Sequence, residues 1–239
     1  MNNPITLLIP EKTDVEFDQV VTAWTNKGGQ IRRLGKYWIK DESLNQQPIA
    51  IYGNQTFSLV LAQIYNVALV SPDDTLIAAL DKSWTKRDIK LKTIEQVLDT
   101  DFPVFIKPVI PKLFLAGIFQ TRTDFQQVIN GLQQEEQLIL SSIIAPIQAE
   151  ARCFVMDGII RDVALYEGDA DLKEARHFLS SFIDKFKDQL PNVVVVDVAY
   201  NEGLGWFVLE FNACWGAGLN NCDAESVIDC IIRATEPVL

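Results

Sequence analysis

The feature that most constrains the fold of this chain is a pair of apolar segments joined by a short polar turn. The first segment contains four consecutive valines and ends at Asp197, and the second, residues 207–212, follows a turn at residues 201–205. Valine-rich and aromatic runs predict β-strands, and the short turn predicts that the two strands are neighbours. Alternation along the second strand then places Glu210 and Asn212 on one face, opposite Asp197.

Three oxygen-bearing side chains on two neighbouring strands predict a magnesium site. Hard cations prefer carboxylate and amide oxygens, and Mg²⁺ commonly takes its remaining ligands from water and substrate phosphates. The predicted ligands are therefore Asp197, Glu210 and Asn212. A hydrogen-bonded polar cluster at the rim of the sheet is the alternative interpretation of the same pattern.

The charge balance limits the classes of partner. The chain of 239 residues carries 21 Lys and Arg residues against 32 Asp and Glu residues, which gives a net charge of −11. This charge repels phosphate backbones and anionic lipid, so we expect neither nucleic acid nor a membrane surface as a partner. An anionic ligand would need a local pocket with a few well-placed cations.

Three basic residues could supply these cations. Lys107 interrupts an apolar strand, where an ammonium group is costly unless it meets an anion. Lys112 lies in a loop between two predicted strands, and Arg152 shares a strand face with Glu150. Simpler interpretations exist for all of them. Lys107 could reach water at the strand end, and Lys112 could be a surface lysine. Glu150 and Arg152 could form an ion pair on a solvated sheet face.

Two domains are predicted from the order of the elements. In residues 1–98, strands alternate with helices, which predicts an α/β domain with parallel βαβ units. Its first helix is expected to begin at a capping box that includes Thr13. A polar, basic stretch at 83–99 is interpreted as a solvated connecting segment, with the domain boundary near Asp99.

The second predicted domain, residues 99–239, has a different character. It combines strand pairs, among them a hairpin at Asp157-Gly158, with interleaved helices, which predicts an α+β domain with a largely antiparallel sheet. A strand is expected at residues 114–119, and a helix capped by Thr123 is expected after it.

Cysteine usage and the start of the chain bear on its compartment. The four cysteines form no CxxC pair, and one histidine cannot complete zinc-site spacing. Residues 1–4 carry no positive charge, and the apolar run at 5–9 is too short for a signal peptide or a membrane span. We therefore expect a cytoplasmic protein with reduced thiols.

Taken in order, these motifs resemble the ATP-grasp superfamily, and more narrowly its clade named for one conserved arginine and two conserved lysines. The resemblance covers about residues 100–225. The stretches that carry it are 102–108, 112–114 with Gly117, 150–155 with Gly158, 195–199, and 208–212 with Trp215 and Gly218.

The resemblance implies an ATP clamped between two α+β subdomains, with a preceding α/β domain. Lys107 is expected to contact the α- and β-phosphates, and Lys112 to lie on a loop over the phosphates. Arg152 is expected to face the γ-phosphate or an acyl phosphate.

The other implied contacts involve the base and the metal. The strand that ends at Ser141 and Ser142 is expected to meet the adenine edge, and Glu150 is also assigned to the nucleotide. Mg²⁺ is expected on Asp197, Glu210 and Asn212. The sequence departs from many family members in its phosphate loop, which is short and apolar at residues 113–115.

The implied activity is that of a carboxylate–amine ligase that forms ADP through an acyl phosphate. The expected substrates are a small-molecule or peptide carboxylate and an amine. Two alternatives stay open at this point. One is a nucleotide-binding module without turnover that acts through a partner, and the other is a small-molecule kinase on the same fold.

Overall fold

The computed structural model describes residues 4–12, 14–45 and 47–238. Thr13 of the predicted capping box and the first three residues of the chain lie outside this part. Within it, Asp14 caps the first helix, because its side chain accepts a hydrogen bond from the backbone N–H of Glu16 at 3.0 Å.

The amino-terminal part is the predicted α/β unit. Its elements are β1 Thr6–Pro10, α1 Val15–Asn26, β2 Gln30–Leu34, β3 Ile49–Ile51 and α2 Gln55–Tyr65. The three strands form a parallel sheet in the order β2-β1-β3, with the buried β1 in the centre. This confirms the predicted parallel βαβ arrangement.

The next strand, β4 Val67–Leu69, does not continue the parallel series. It pairs antiparallel with the last strand of the chain, β13 Thr235–Pro237. The prediction that β4 belongs to a βαβ unit is therefore wrong. Its partner lies about 170 residues away in sequence, and a local pattern carries no information about such a pairing.

The stretch interpreted as a solvated connection is ordered, and this prediction is also wrong. A short helix, α3 Leu76–Ala79, precedes it. The stretch itself contains most of the short helix α4 Lys82–Thr85 and then β5 Ile89–Thr93, an edge strand paired with β8 Gln137–Ser141. Lysines alternate with apolar residues along β5, as is common on sheet edges, where charge prevents further pairing. The division of the chain between residues 98 and 99 stays a prediction.

The first antiparallel sheet is completed by β6 Val104–Pro108 and β7 Gly117–Phe119, and α5 Arg122–Val128 follows β7. Its strand order is β5-β8-β6-β7. Strand β7 is shorter than predicted, and residues 109–116 form a loop between β6 and β7. Helix α5 begins after Thr121 rather than after Thr123, because the Thr121 hydroxyl accepts from the Asp124 N–H at 3.2 Å.

The second antiparallel sheet lies in the carboxy-terminal part of the chain. Its strands and the helices among them are β9 Ala149–Met156, β10 Ile159–Gly168, α6 Leu172–Phe186, β11 Val193–Asn201, β12 Gly205–Asn212 and α7 Ala224–Ile232. The strand order is β10-β9-β11-β12.

The four valines lie in β11. Val194 and Val196 pack towards α6, while Val193 and Val195 pack towards α7 and β1. A strand buried on both faces needs apolar residues at every position, which explains the uninterrupted run.

The hydrophobic core on the α7 face of this sheet is formed by residues from both ends of the chain. Residues of β1, α1 and β3 pack with residues of β11 and α7 in one continuous cluster. All four cysteines are buried free thiols. Within the part of the chain that is described, no helix combines the length and the apolar character that a membrane crossing needs.

Candidate functional site

The two antiparallel sheets face each other across a cleft that holds two adjoining cavities of about 560 Å³ each. We call them the β8 cavity, which is lined by the end of β8, residues 142–144 and Ile147, and the loop cavity, which is lined by residues of the loop at 109–116. The two cavities share Ile77, Lys107 and Glu210, so they adjoin at these side chains.

The β8 cavity is mostly apolar. Ile89, Phe105 and Ile139 line it, and Ser141 and Ser142 lie at its edge. The Ser142 hydroxyl accepts from the Asp88 N–H at 3.0 Å, which ties the end of β8 to β5. A flat apolar ligand with hydrogen-bonding edges suits such a cavity.

Glu150 and Arg152 lie on the same face of β9, as alternation predicts. The Glu150 carboxylate lines the β8 cavity and accepts a hydrogen bond from the Tyr166 hydroxyl on β10. Burial raises the pKa of Glu150, and the bond from Tyr166 opposes the rise. Tyr166 was not among the predicted site residues, although the hairpin at Asp157-Gly158 implies that β10 lies beside β9.

Arg152 and Asp197 form a buried ion pair between β9 and β11. The Arg152 Nε donates to Asp197 Oδ1 at 2.9 Å, and Nη2 donates to Oδ2 at 2.7 Å. The third nitrogen, Nη1, donates to the carbonyl of Gly218 at 2.8 Å. Only 10% of the Arg152 side chain and 1% of the Asp197 side chain are exposed. Burial acts to lower the pKa of Arg152, but its hydrogen bonds with Asp197 raise it above the usual value.

This ion pair affects one interpretation and two roles that the sequence predicted for these residues. The interpretation of Glu150 and Arg152 as an ion pair on a solvated face is wrong, because Arg152 is buried and pairs with Asp197 instead. The roles of Asp197 as a direct metal ligand and of Arg152 as a contact to the γ-phosphate stay predictions. Both side chains are buried in the pair, so either role would require the side chain concerned to become accessible.

Glu210 and Asn212 lie beside Asp197 at the end of β12, as predicted. The Asn212 side-chain nitrogen donates to Asp197 Oδ2 at 2.9 Å and to Glu210 Oε1 at 3.1 Å, which leaves the amide oxygen for another partner. Among the described residues no cluster of three or more Asp, Glu, His or Cys side chains forms a metal cage. Two oxygen ligands suit Mg²⁺, which usually takes its others from phosphates and water.

The two predicted lysines line the cleft. The Lys107 ammonium at the end of β6 borders both cavities and lies 3.6 Å from Glu210 Oε2. Lys112 is exposed on the loop and lines the loop cavity, with a left-handed backbone at φ +66°.

One cation of the cleft was missed by the sequence analysis. Arg87 follows α4 and lines the β8 cavity, where its Nη2 donates to the Leu209 carbonyl at 2.6 Å. Its Nε is buried, with no hydrogen-bond partner among the described residues. Burial lowers the pKa of Arg87 to about 10, against an opposing effect of Glu210. The basic composition around Arg87 had suggested a solvated segment, which hid this residue.

Comparison with known proteins relates these features to a family. The model that matches residues 84–230 describes an ATP-grasp domain, the second family of the clade named for one arginine and two lysines. The comparison with curated proteins finds no match.

Among solved structures, the chain is similar to a D-alanine–D-alanine ligase from Bacillus anthracis complexed with ATP, at 13% identity and a TM-score of 0.60 over 98% of this chain and 97% of that one. It is also similar to the D-cycloserine synthetase DcsG, at 13% identity and a TM-score of 0.61 over 96% of this chain and 99% of that one. A third similar structure is that of the ATP-grasp ligase PsnB complexed with precursor peptide PsnA2 and AMPPNP. Its identity is 11% and its TM-score 0.56, over 98% of this chain and 99% of that one. At these identities the likeness concerns the fold.

Proposed function

The chain belongs to the ATP-grasp domain family, in the clade named for one arginine and two lysines, and on this basis we propose that it is an ATP-dependent ligase that joins a carboxylate to an amine and releases ADP and phosphate. The observation that carries the proposal is the pair Lys107 and Glu210, whose charged groups face each other where the two cavities meet. A cation and a carboxylate at this junction suit a triphosphate and its metal ion.

The β8 cavity would hold the base of ATP. Its apolar walls would sandwich the ring, and the backbone around Ser141 and Ser142 would meet the base edge. The phosphates would run towards Lys107, with Arg87 as a second cation close to the same path. Lys112 would cover them from the loop. The complexes of similar solved structures with ATP and AMPPNP support a nucleotide in this cleft.

Glu210 and Asn212 would hold Mg²⁺. When bound, Mg²⁺ neutralises phosphate charge and so favours attack at the γ-phosphorus. Asp197, which is 1% exposed, would join these ligands only if it became accessible to the metal. Until then its role is to hold Arg152 and, through Asn212, to orient the other two ligands.

The proposed chemistry has two transfers. A carboxylate oxygen of the acid attacks the γ-phosphorus, and the bond to the bridging oxygen of ADP breaks. The nitrogen of the amine then attacks the acyl carbon of the acyl phosphate, phosphate leaves, and the nitrogen loses a proton to give the amide. Lys107 and Lys112 would stabilise the negative charge on the transferred phosphoryl group. The contribution of the protein is positioning and charge neutralisation.

The proposed substrates are a small-molecule or peptide carboxylate and an amine. The precursor peptide in the similar PsnB structure supports a peptide as one option. A cytoplasmic location belongs to the same proposal, because ATP is the energy source.

The reaction is tested by identifying its products. We expect ADP rather than AMP, and we expect its release to require an acid and an amine together, since in the proposed arrangement the cations would flank the γ-phosphate. Amino acids and short peptides are screened in pairs with Mg²⁺ and ATP, with the carboxylate of the active acid labelled with ¹⁸O.

Transfer of ¹⁸O into the released phosphate is the expected result. AMP with pyrophosphate would indicate an adenylating enzyme instead. Phosphate kept on an organic acceptor would indicate a kinase, and either result would refute the ligase assignment.

A further inference from the structure

Tyr166 lines the β8 cavity but has no role in the chemistry described above. It lies near the end of the edge strand β10, where the pairing with β9 is irregular. Leu165 pairs with Ala151 and Glu167 pairs with Glu150, so Tyr166 is an extra residue between two paired ones. Such β-bulges bend a strand and re-aim its side chains, and they are common beside functional sites.

The side chain of Tyr166 contacts both charged residues on one face of β9. Its hydroxyl donates to the Glu150 carboxylate, and its ring lies over Arg152, with 5.8 Å between the guanidinium carbon and the ring centroid. Arg152 is itself held by Asp197 and by the carbonyl of Gly218. The buried ion pair therefore supports the ring, and the ring carries the hydroxyl that meets Glu150.

Glu150 is the side chain that this hydroxyl holds in place. It is half-buried and lines the β8 cavity. A carboxylate can accept about four hydrogen bonds, so the bond from Tyr166 leaves acceptor positions for a ligand in the cavity. Fixing a flexible glutamate side chain costs conformational entropy. Because Tyr166 fixes Glu150 before a ligand enters, the ligand bears less of this cost and binds more tightly.

The same hydrogen bond keeps Glu150 charged. Burial raises the pKa of Glu150, and the hydrogen bond from Tyr166 lowers it. Three other carboxylates raise it further, one on each of the other strands of the sheet: Glu167, Asp197 and Glu210. The cations that line the same cavity are Arg87 and Lys107. Because the hydroxyl favours the charged form, its loss should raise the pKa of Glu150 and make protonation easier as the pH falls.

We propose that Tyr166 is a positioning residue for the nucleotide, whose hydroxyl holds the Glu150 carboxylate in the orientation that accepts hydrogen bonds from the ligand of the β8 cavity. This inference rests on the proposed function, because it requires that the β8 cavity takes the nucleotide. Tyr166 acts through Glu150, and its ring is anchored on Arg152.

The test compares the affinity for AMPPNP with Mg²⁺, measured by calorimetry, in the wild type and in Tyr166→Phe. This variant lacks only the hydroxyl and keeps the ring. We expect binding to be about three- to tenfold weaker at pH 8, and we expect a larger loss at pH 6, where Glu150 is more easily protonated. Ionisation of the nucleotide cancels, because both proteins are compared at the same pH. A purely structural role would not make the loss of affinity depend on pH.

Two further variants show whether the hydroxyl acts through Glu150. In a Glu150→Ala background the hydroxyl has no carboxylate to hold, so adding Tyr166→Phe should change the affinity less than about twofold at either pH. Tyr65→Phe is the matched control. The Tyr65 hydroxyl accepts from the Asp41 N–H at 3.1 Å and lies outside the residues that line the cleft, so this variant should bind AMPPNP as the wild type does. Urea unfolding shows that each variant is folded.

Equal AMPPNP affinity in Tyr166→Phe and the wild type at both pH values would overturn the inference. A loss that does not grow between pH 8 and pH 6 would also overturn it, and so would an equal loss with and without the Glu150 carboxylate. Any of these results, obtained with a wild type that binds AMPPNP, leaves the proposed function standing. Absence of AMPPNP binding in the wild type would instead refute the proposed function, and this inference with it.

Discussion

Replacing Arg152 by methionine is expected to lower the free energy of unfolding by about 3–5 kcal/mol. The substitution keeps much of the side-chain volume but leaves the Asp197 carboxylate, which is 1% exposed, without the two hydrogen bonds at 2.9 and 2.7 Å. A buried charge without its partner is among the most destabilising changes in a folded protein. Urea unfolding followed by fluorescence or circular dichroism measures the loss.

Two further variants show whether the loss comes from the ion pair. Arg152→Met combined with Asp197→Leu should recover more than half of the loss, because no unpaired charge then remains. Arg233 pairs with Asp157 on the surface, with side chains 46% and 50% exposed. Arg233→Met is the matched control and should cost less than about 1 kcal/mol.

The effect of Arg152→Met should also depend on pH. Burial raises the pKa of Asp197 and Arg152 opposes this, so the variant should have a higher Asp197 pKa in the folded state than in the unfolded state. The folded variant then binds more protons as the pH falls, and the deficit relative to wild type should shrink on acidification. A deficit below about 1 kcal/mol at neutral pH would contradict the account of a buried pair.

Replacing Glu210 by glutamine is expected to lower ligase turnover about tenfold or more while leaving the fold intact, because a neutral amide is a poorer ligand for a hard cation. The Glu210 side chain is 41% exposed and lies 3.6 Å from Lys107, so we expect its charge to contribute little to the stability of the fold. Steady-state ADP release with the acid and amine pair from the product screen measures the effect. Raising the Mg²⁺ concentration should restore part of the activity.

The control for Glu210 is Glu202, an exposed residue of the turn between β11 and β12. Glu202→Gln should keep wild-type turnover at every Mg²⁺ concentration. Wild-type turnover of Glu210→Gln at ordinary Mg²⁺ would count against metal binding at this position. A large loss of stability in Glu210→Gln would mean that the carboxylate has a structural role.

The sequence predicted those parts of the site that depend on a single strand. The alternation in β12 correctly grouped Glu210 with Asn212, and that in β9 grouped Glu150 with Arg152. Strand β11 was also placed correctly, because four valines and a following polar turn indicate a buried strand followed by a strand partner. In these cases the information lies within a few residues.

The sequence did not predict which charges meet across strands. Arg152 lies opposite Asp197 only because β9 pairs with β11, two strands separated in the chain by β10 and α6. The predicted roles assigned these residues to the phosphate and the metal separately, whereas the fold joins them in one ion pair. Pairing between distant strands depends on the tertiary fold, which a local pattern does not contain.

The basic stretch before residue 99 shows a second limit. Its lysines and arginine suggested exposure, yet β5 forms a sheet edge and Arg87 turns into the cleft. Charge on a segment does not distinguish an edge strand from a loop. Ile89 and Leu91 alternate with lysines, and this period of two, rather than the charge, indicates the strand.

The most direct test of the central claim, that the cleft is a magnesium–nucleotide site, is calorimetric titration of ATP in the presence of Mg²⁺ and again with Mg²⁺ removed by a chelator. We expect one ATP per chain with Mg²⁺ and markedly weaker binding without it. Lys107→Ala should weaken ATP binding by about 1.5–3 kcal/mol, the value of a charge-assisted contact. Absence of ATP binding in both conditions would contradict the account. Unchanged affinity in a folded Lys107→Ala variant would place the triphosphate elsewhere.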